Sequence, residues 1–216
     1  MKKEDTINII RETGVIAIMR AQSSDQLIAA ADAIKKGGVK AIEVTMTTPG
    51  ALDVIAEAKG RYGSDVIFGA GSVLDAETGR AAILAGADFV VSPVLNLELV
   101  ELCNRYGIPT SPGCYSPTEI LTGWEAGADF IKLFPASFGG PSLVKAILAP
   151  LPQVRIIPVG GVNLDTAADF ISKGSAALGV GSSLVNQKLL DSGDMDELTR
   201  RAVEFIAQVK KGRGLT

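Results

Sequence analysis

The sequence predicts an α/β protein folded as a (β/α)8 TIM barrel, with a capping helix at its N-terminal end. Eight short runs of β-branched or apolar residues recur along the chain, and their starts lie about 23 residues apart. The stretches between these runs place apolar residues at helical spacing. Alternating strands and helices with short connections give parallel strands and right-handed crossovers, and eight such units match a closed barrel.

The predicted elements begin with a helix over residues 3–12, which we expect to cover the barrel floor. Short apolar runs bounded by glycine or proline are typical of buried parallel strands. The eight predicted strands occupy residues 15–19, 41–46, 66–71, 89–93, 109–113, 130–135, 155–161 and 177–184. Helix starts are indicated by the capping residues Ser23, Asp75, Ser116 and Asn163.

An internal repeat marks the passage from helix to strand. Ala-Gly-Ala-Asp-Phe occurs at residues 85–89 and again at 126–130, and related segments occupy 36–41 and 173–177. Each copy precedes a predicted strand, so its glycine ends a helix and turns the chain. A doubly wound open sheet is the rival fold. Even spacing and the lack of a dinucleotide fingerprint favour a single barrel domain over residues 1–216.

Composition excludes several function classes. The 216 residues include no histidine, which rules out a Ser-His-Asp triad, a Cys-His pair and a His-ligated zinc. A net charge of −3 and 5% aromatic residues argue against a nucleic-acid partner. Without a membrane-length apolar run or a signal-like start, and with two cysteines, we expect a cytoplasmic protein without a membrane partner. No acidic cluster has metal-ligand spacing, so we expect neither a metal nor a cofactor.

Lys132 interrupts an otherwise apolar strand, Phe-Ile-Lys-Leu-Phe-Pro. By the two-residue period of a strand it shares a face with Phe130 and Phe134. If that face is the barrel lumen, desolvation lowers the pKa of the amine. A deprotonated amine attacks ketones and forms a Schiff base. The alternative is a lysine at the rim that extends into water.

Glu43 interrupts the second predicted strand and shares a face with Ala41 and Thr45. A buried carboxylate is rarely tolerated without a partner or a role. Lys132 and Glu43 are the only charged residues in the middle of their predicted strands. An amine beside a carboxylate of altered pKa can form an imine and shuttle protons. A buried structural ion pair is the alternative.

Two glycine-rich segments follow the seventh and eighth predicted strands, Val-Gly-Gly-Val-Asn at 159–163 and Gly-Val-Gly-Ser-Ser at 179–183. Both offer backbone N–H groups, and Asn163 and Ser183 are candidate first residues of helices whose N-termini attract anions. Loops seven and eight are the usual phosphate site of this fold. Tight turns without a ligand are the alternative reading.

Other strand ends supply candidate pocket residues. Arg20 ends the first strand, where a guanidinium can hold a carboxylate or phosphate, or form a rim salt bridge. Gly71 and Ser72 end the third strand in Gly-Ala-Gly-Ser, which indicates close backbone approach to a small ligand. Pro93 ends the fourth strand, and Cys114 lies near the mouth without a histidine to activate it.

Taken in order, these motifs resemble the 2-keto-3-deoxy-6-phosphogluconate (KDPG) and 4-hydroxy-2-oxoglutarate (KHG) aldolases, a class I family. The similarity runs nearly end to end. It rests on Ile-Glu-Val-Thr (42–45), Gly-Ala-Gly-Ser-Val (69–73), Val-Ser-Pro (91–93), Pro-Gly-Cys (112–114), Ile-Lys-Leu-Phe-Pro (131–135), Val-Gly-Gly-Val (159–162) and Gly-Val-Gly-Ser (179–182). The order and spacing of these segments make the resemblance specific.

The resemblance implies a role for each candidate. Lys132 forms the Schiff base and Glu43 moves protons. Ser72 stands near the pyruvyl carboxylate, where members often carry threonine. Pro93 and Phe134 line the pocket. The phosphate would be held by Gly160, Gly161, Gly181 and Ser182.

At three positions the residue in this chain differs from the residue that some family members carry. Thr47 occupies a position where some members carry arginine, and Arg20 supplies the cation instead, as in other members. Its ligand, carboxylate or phosphate, is therefore open. Val159 replaces a threonine that is common in phosphogluconate-type members and lies near the sugar hydroxyls. Both C4 epimers of the substrate therefore stay open, including the galactonate form.

The implied function is cleavage of KDPG, its C4 epimer or KHG to pyruvate and an aldehyde such as glyceraldehyde 3-phosphate. The expected partner is a small phosphorylated keto acid, and the resemblance implies a homotrimer. One alternative is a phosphate-binding barrel isomerase or epimerase that forms no imine. Another is a non-catalytic barrel that serves as an assembly subunit, although a scaffold has no reason to keep Lys132 and Glu43 buried.

Overall fold

The computed structural model describes residues 1–20 and 23–215; Ala21, Gln22 and Thr216 of the predicted domain lie outside this part. The described strands are β1 Val15–Met19, β2 Ala41–Thr45, β3 Ile67–Gly71, β4 Phe89–Val91, β5 Thr110–Ser111, β6 Gly113–Cys114, β7 Ile131–Leu133, β8 Ile156–Pro158 and β9 Leu178–Val180. The helices are α1 Lys3–Thr13, α2 Ser24–Lys36, α3 Ala51–Tyr62, α4 Ala76–Leu84, α5 Leu97–Tyr106, α6 Pro117–Glu125, α7 Gly140–Leu148, α8 Leu164–Ser172, α9 Gln187–Ser192 and α10 Met195–Gly212. A 3₁₀ turn covers Ala136–Phe138.

The strands close into a parallel barrel, which confirms the predicted fold class. Six of them pair in the order β5-β4-β3-β2-β1-β9, and three pair in the order β6-β7-β8. The two sheets are continuous through Pro112, which alone separates β5 from β6. A parallel bridge between Val159 and Gly179 joins the end of β8 to β9. Eight barrel strands, here called staves, therefore surround one lumen; β5 and β6 together form the fifth stave.

The predicted strands run past the observed ones at most of their ends. The fifth strand, predicted as continuous over 109–113, is interrupted at Pro112 because proline has no N–H to donate to the ladder. The sixth was predicted over 130–135 and comprises Ile131–Leu133. The eighth was predicted over 177–184 and comprises Leu178–Val180. Apolar residues beyond the C-terminal ends of the strands, such as Val159, belong to the loops that surround the barrel mouth.

Helix α1 covers the floor of the barrel, as predicted. Its Ile7 and Ile10 are buried and pack in one cluster with lumen residues, among them Ile16, Phe89 and Phe130. A second, larger cluster fills the layer between the strands and the outer helices. The lumen is therefore closed at the N-terminal end of the strands, and its free opening lies at the C-terminal end.

The aspartate of the internal repeat, Asp88 or Asp129, forms a hydrogen bond to the preceding stave. The sequence pattern did not reveal this role. The Asp88 carboxylate accepts a hydrogen bond from the Phe68 N–H at 3.1 Å and pairs with Lys59 at 2.6 Å. The equivalent Asp129 accepts from the Thr110 N–H at 3.0 Å and pairs with Lys3 at 3.0 Å. In both copies the aspartate satisfies a backbone donor of the preceding stave, at the end of the barrel away from the mouth.

A bilayer-crossing segment would need a long apolar helix, and the described residues contain none.

Candidate active site

The strand register places Lys132 and Glu43 on the lumen side of the barrel. Lys132 lies on β7, with Gly113 and Ile157 as its neighbours on the flanking staves. Glu43 lies on β2 beside Ile18, which belongs to the lumen cluster. The two residues retain only 5% and 2% of their exposure, respectively. Both charged groups are thus held inside the barrel, which is contrary to the rim alternative for Lys132.

The environment of Lys132 favours the free amine. Burial lowers the pKa of the Lys132 amine; the Glu43 carboxylate opposes this shift, and the Arg20 cation adds to it. The Nζ atom lies 5.0 Å from the centroid of the Phe134 ring, which forms an apolar wall beside it. A lysine in this setting can act as a nucleophile near neutral pH.

The environment of Glu43 favours the protonated acid. Burial raises the pKa of the Glu43 carboxyl group, while Lys132 and then Arg20 lower it. Among the described residues, Lys132 and Glu43 form no ion pair at 4.0 Å or less, although each shifts the pKa of the other. The two groups are therefore electrostatically coupled without forming an ion pair, an arrangement typical of functional sites.

Gly71 provides the space in which the Glu43 side chain lies. A Cβ atom added at Gly71 would lie 1.9 Å from Glu43 Oε1 and 2.4 Å from its Cδ. The sequence predicted close approach of a ligand at this glycine. The structure shows that the Glu43 side chain, from the adjacent strand, approaches this glycine, and the β2–β3 register pairs Thr45 with Gly71.

The remaining predicted pocket residues surround the mouth. Arg20 is exposed at the end of β1 and, within the described part of the chain, has no carboxylate within 4.0 Å, so the predicted alternative of a rim salt bridge is not formed there. Ser72 adopts φ 58°, a left-handed conformation that is uncommon for serine. The Thr47 hydroxyl lies 2.9 Å from the Thr45 hydroxyl. Pro93 is half-buried.

Two glycine segments and Arg20 line a second part of the mouth, a cavity of about 180 Å³. Its lining comprises Ile18, Arg20, Phe134, Val159, Gly160, Gly161, Val162, Gly179, Gly181, Ser182 and Ser183. Among the hydrogen bonds of the described residues, the N–H groups of 160–162 and 181–183 have no acceptor. Gly160 and Gly161 have φ of 89° and 77°, conformations that favour glycine. This lining offers several N–H donors and a cation to an anion.

The structure brings the predicted phosphate residues together but corrects one helix start. Asn163 caps α8, and its side chain accepts from the Asp165 and Thr166 N–H groups. Ser183 does not open a helix. The Gly181 carbonyl accepts from both Leu184 and Val185 in a single turn, and α9 begins later, after its cap Asn186. Val162 and Gly179 belong to the two predicted glycine-rich segments, whereas nothing in the sequence indicated Ile18 as a lining residue.

The Cys114 thiol lies beside the mouth and is buried. Burial raises the pKa of the Cys114 thiol to about 12, so it stays protonated near neutral pH. The described residues contain no group of three or more Cys, Asp or Glu side chains placed to hold a metal ion. A larger cavity of about 580 Å³ opens at the opposite end of the barrel, beside Arg11, Arg155 and Arg213, but contains none of the predicted site residues.

The chain is similar to known proteins of one enzyme family. A family model described as KDPG and KHG aldolase matches residues 6–201. A 2-dehydro-3-deoxy-phosphogluconate aldolase of Haemophilus influenzae is 33% identical over 208 residues, which cover 96% of this chain and 98% of the relative. A 2-dehydro-3-deoxy-6-phosphogalactonate aldolase of Escherichia coli is 35% identical over 171 residues, or 79% of this chain and 83% of the relative.

A solved structure shows the same fold. The KDPG aldolase of Legionella pneumophila, with pyruvate captured at low pH as a covalent carbinolamine intermediate, superimposes with a TM-score of 0.86. It is 28% identical in sequence, and the match covers 92% of this chain and 96% of that one.

Proposed function

We propose that this chain, which belongs to the KDPG and KHG aldolase family, is a class I aldolase that cleaves a phosphorylated 2-keto-3-deoxy acid to pyruvate and an aldehyde. One observation carries the proposal. An amine of lowered pKa, Lys132, and a carboxyl group of raised pKa, Glu43, occupy the same closed lumen without forming an ion pair among the described residues. This is the equipment for an imine and for the proton transfers around it.

The first half of the reaction builds the imine. The free amine of Lys132 attacks the C2 ketone and forms a carbinolamine. Glu43, whose protonated form is favoured by burial, gives a proton to the carbinolamine hydroxyl, directly or through water, and water leaves. The resulting protonated imine draws electrons from C3. Exclusion of bulk water from the lumen strengthens each of these electrostatic effects.

The second half breaks the carbon–carbon bond. The Glu43 carboxylate formed in the first half takes the proton of the C4 hydroxyl, the C3–C4 bond breaks, and its electron pair moves to the imine as an enamine. The aldehyde departs. Protonation of the enamine at C3 and hydrolysis of the imine then release pyruvate and restore the Lys132 amine.

The surrounding residues would bind and orient the substrate. We assign Ser72 to the pyruvyl carboxylate, Pro93 and Phe134 to the pocket walls, and Thr47 and Gly71 to the neighbourhood of Glu43. The phosphate would lie against the backbone N–H groups of the cavity lined by Gly160, Gly161, Gly181 and Ser182, with Arg20 as its counter-ion. Fixing a remote phosphate orients the bond that breaks.

Val159 bears on the choice between substrates. Its side chain is buried and apolar at the edge of the phosphate cavity, so it offers no hydrogen bond to a sugar hydroxyl. The relatives include both gluconate- and galactonate-type aldolases. A panel comparing kcat/KM for the two C4 epimers and for 4-hydroxy-2-oxoglutarate would assign the physiological preference.

We further propose a homotrimer that works in the cytoplasm. Leu74 after β3, Val94 after β4 and Leu97 at the start of α5 are 57%, 47% and 47% exposed, and such apolar side chains suit a subunit contact. Light scattering after size-exclusion chromatography would give the mass, and a monomer at micromolar concentration would contradict the trimer.

Borohydride trapping tests the imine. Incubation with pyruvate and sodium borohydride is expected to add a reduced pyruvyl group to Lys132, identified by peptide mass spectrometry. Lys132→Ala should abolish both the adduct and turnover, while Lys145→Ala, which removes an exposed lysine of α7, should change neither. An active enzyme whose Lys132 remains unmodified would exclude the imine and favour a phosphate-binding isomerase or epimerase.

A further inference from the structure

The loop Gly181–Ser183, here called the cradle loop, is held through every one of its carbonyl groups by residues that do not line the cavity. The Gly181 carbonyl accepts from the Leu184 and Val185 N–H groups, each at 2.9 Å. The Ser182 carbonyl accepts from the side-chain amide of Asn186 at 3.4 Å. The Ser183 carbonyl accepts from Nη1 of Arg201 on α10, also at 3.4 Å.

These contacts decide where the N–H groups of the cradle loop point. A planar trans peptide unit places its carbonyl oxygen and its N–H on opposite sides. The peptide that bears the Gly181 carbonyl also bears the Ser182 N–H, and the one that bears the Ser182 carbonyl also bears the Ser183 N–H. Because the groups that bind these carbonyls lie outside the cavity lining, the opposite edges of the two peptide units, which carry the N–H groups, are left for the cavity; no described residue accepts from either N–H group.

Arg201 is connected to the Ser182 N–H group through two hydrogen-bonded peptide units. It binds the Ser183 carbonyl, and the N–H of that same peptide, which belongs to Leu184, donates to the Gly181 carbonyl. The Gly181 carbonyl in turn belongs to the peptide whose N–H faces the cavity. A guanidinium on α10 therefore fixes the direction of a donor that it does not touch.

Arg201 is itself held in place. Its Nε donates to Glu197 Oε1 at 2.8 Å, one turn earlier on α10, and its side chain is 25% exposed. The guanidiniums of Arg200 and Arg201 hold the pKa of Glu197 down at about 2, so the carboxylate stays charged. Arg200 shares the Glu197 partner but bonds otherwise to Glu204 and makes no contact with the cradle loop. The helix thus supplies a matched control beside the residue in question.

We propose that Arg201 and Asn186 are positioning residues that orient the N–H groups of the cradle loop toward the phosphate of the substrate. The proposal rests on the proposed function, since it names the support of the phosphate subsite of that same site. Neither residue lines the cavity, so both act through the loop backbone.

The experiment compares Arg201→Met with Arg200→Met and measures two readouts. One is the affinity for inorganic phosphate and the KM for the phosphorylated substrate. The other is the rate at which pyruvate and borohydride modify Lys132, which needs no phosphate. Arg201→Met is expected to weaken phosphate binding and raise KM about tenfold, with kcat and the pyruvate trapping rate within about twofold of wild type. Arg200→Met should leave the phosphate affinity, KM, kcat and the trapping rate unchanged.

Asn186→Ser provides a second, independent test. Serine keeps the N-cap acceptor of α9, which Asn186 supplies to the Leu189 N–H at 3.0 Å, but cannot reach the Ser182 carbonyl with an amide. It should raise KM in the same selective way. Unchanged phosphate affinity in both variants, or a parallel fall in pyruvate trapping, would overturn the positioning role. Failure of wild-type protein to form the pyruvate adduct would refute the proposed function, while the phosphate-binding comparison would still decide the positioning role.

Discussion

Gly71→Ala tests whether Glu43 performs the proton transfers, because it moves that carboxyl group without altering it. A Cβ at this position would lie 1.9 Å from Glu43 Oε1, and real Cβ atoms essentially never approach other atoms to less than 3.0 Å. The carboxyl group must therefore move by at least about 1.1 Å. The backbone at Gly71 lies outside the left-handed region, so alanine adds no conformational strain there.

A displacement of about 1 Å from productive geometry can cost about 100-fold in rate. We expect Gly71→Ala to lower kcat for cleavage by roughly this factor. Pyruvate release would be followed by a coupled assay with lactate dehydrogenase. Exchange of the pyruvate methyl hydrogens for deuterium, followed by NMR, should fall in parallel because it depends on the same proton transfers.

Two controls separate this effect from general damage. In a Glu43→Ala background the shortened side chain leaves room for the new methyl group, so Gly71→Ala should cause little further loss of residual activity. Gly60→Ala, on the exposed face of α3 with no atom within 4 Å of the added Cβ, should leave kcat unchanged and stabilise the protein by roughly 0.4–1 kcal/mol. Wild-type kcat in Gly71→Ala, or an equal loss with and without Glu43, would refute the assignment.

Three further predictions follow from burial and charge. Lys132 must be unprotonated to attack, so the rate of pyruvate trapping falls as pH drops through the lowered pKa of Lys132. Because Glu43 raises that pKa and Arg20 lowers it, Glu43→Gln should move the acidic limb of the pH–rate profile to lower pH, and Arg20→Met should move it to higher pH. Shifts of both variants in the same direction would contradict the assigned charges. Lys132→Met should raise the free energy of unfolding, measured in urea at pH 7, by on the order of 1 kcal/mol. The pKa of Lys132 is lower in the folded than in the unfolded state, so the unfolded state binds the proton more tightly, and the wild type loses this penalty only as pH rises toward the unfolded pKa. A less stable variant would disprove the prediction. Ile10→Ala should lower the free energy of unfolding by about 2–5 kcal/mol, because Ile10 is only 1% exposed and its truncation leaves a cavity beneath the lumen. A change under about 1 kcal/mol would contradict a tightly packed barrel floor.

Residue alternation predicted the centre of the site well, because a strand sends every second side chain to the same face. That geometry alone placed Lys132 with Phe130 and Glu43 with Ala41, and the structure puts Phe130 and Ala41 in the lumen cluster. The capping residue Asn163 was equally readable, since its hydrogen bonds are local in sequence.

Features that depend on contacts between strands escaped the sequence. The space above Gly71 that Glu43 fills depends on the register of β2 against β3, which no single segment encodes. Ser183 resembled a helix start, but the stronger cap at Asn186 and the turn closed on the Gly181 carbonyl delay α9 to Gln187. The predicted strand ends ran long because apolar residues such as Val159 continue into the loops that line the cavity.

Because helix α1 closes one end of the barrel, the lumen opens at one end only, and this imposes an order on substrate binding and product release. With Ile7 and Ile10 sealing one end, molecules arrive and depart through the same aperture. In the proposed reaction, the three-carbon fragment bonded to Lys132 would lie deep in the lumen, and the phosphorylated fragment would lie nearer the opening, against the cavity that Gly160 and Gly181 line. The aldehyde must therefore vacate the channel before pyruvate can follow, and in the synthetic direction pyruvate must bind first.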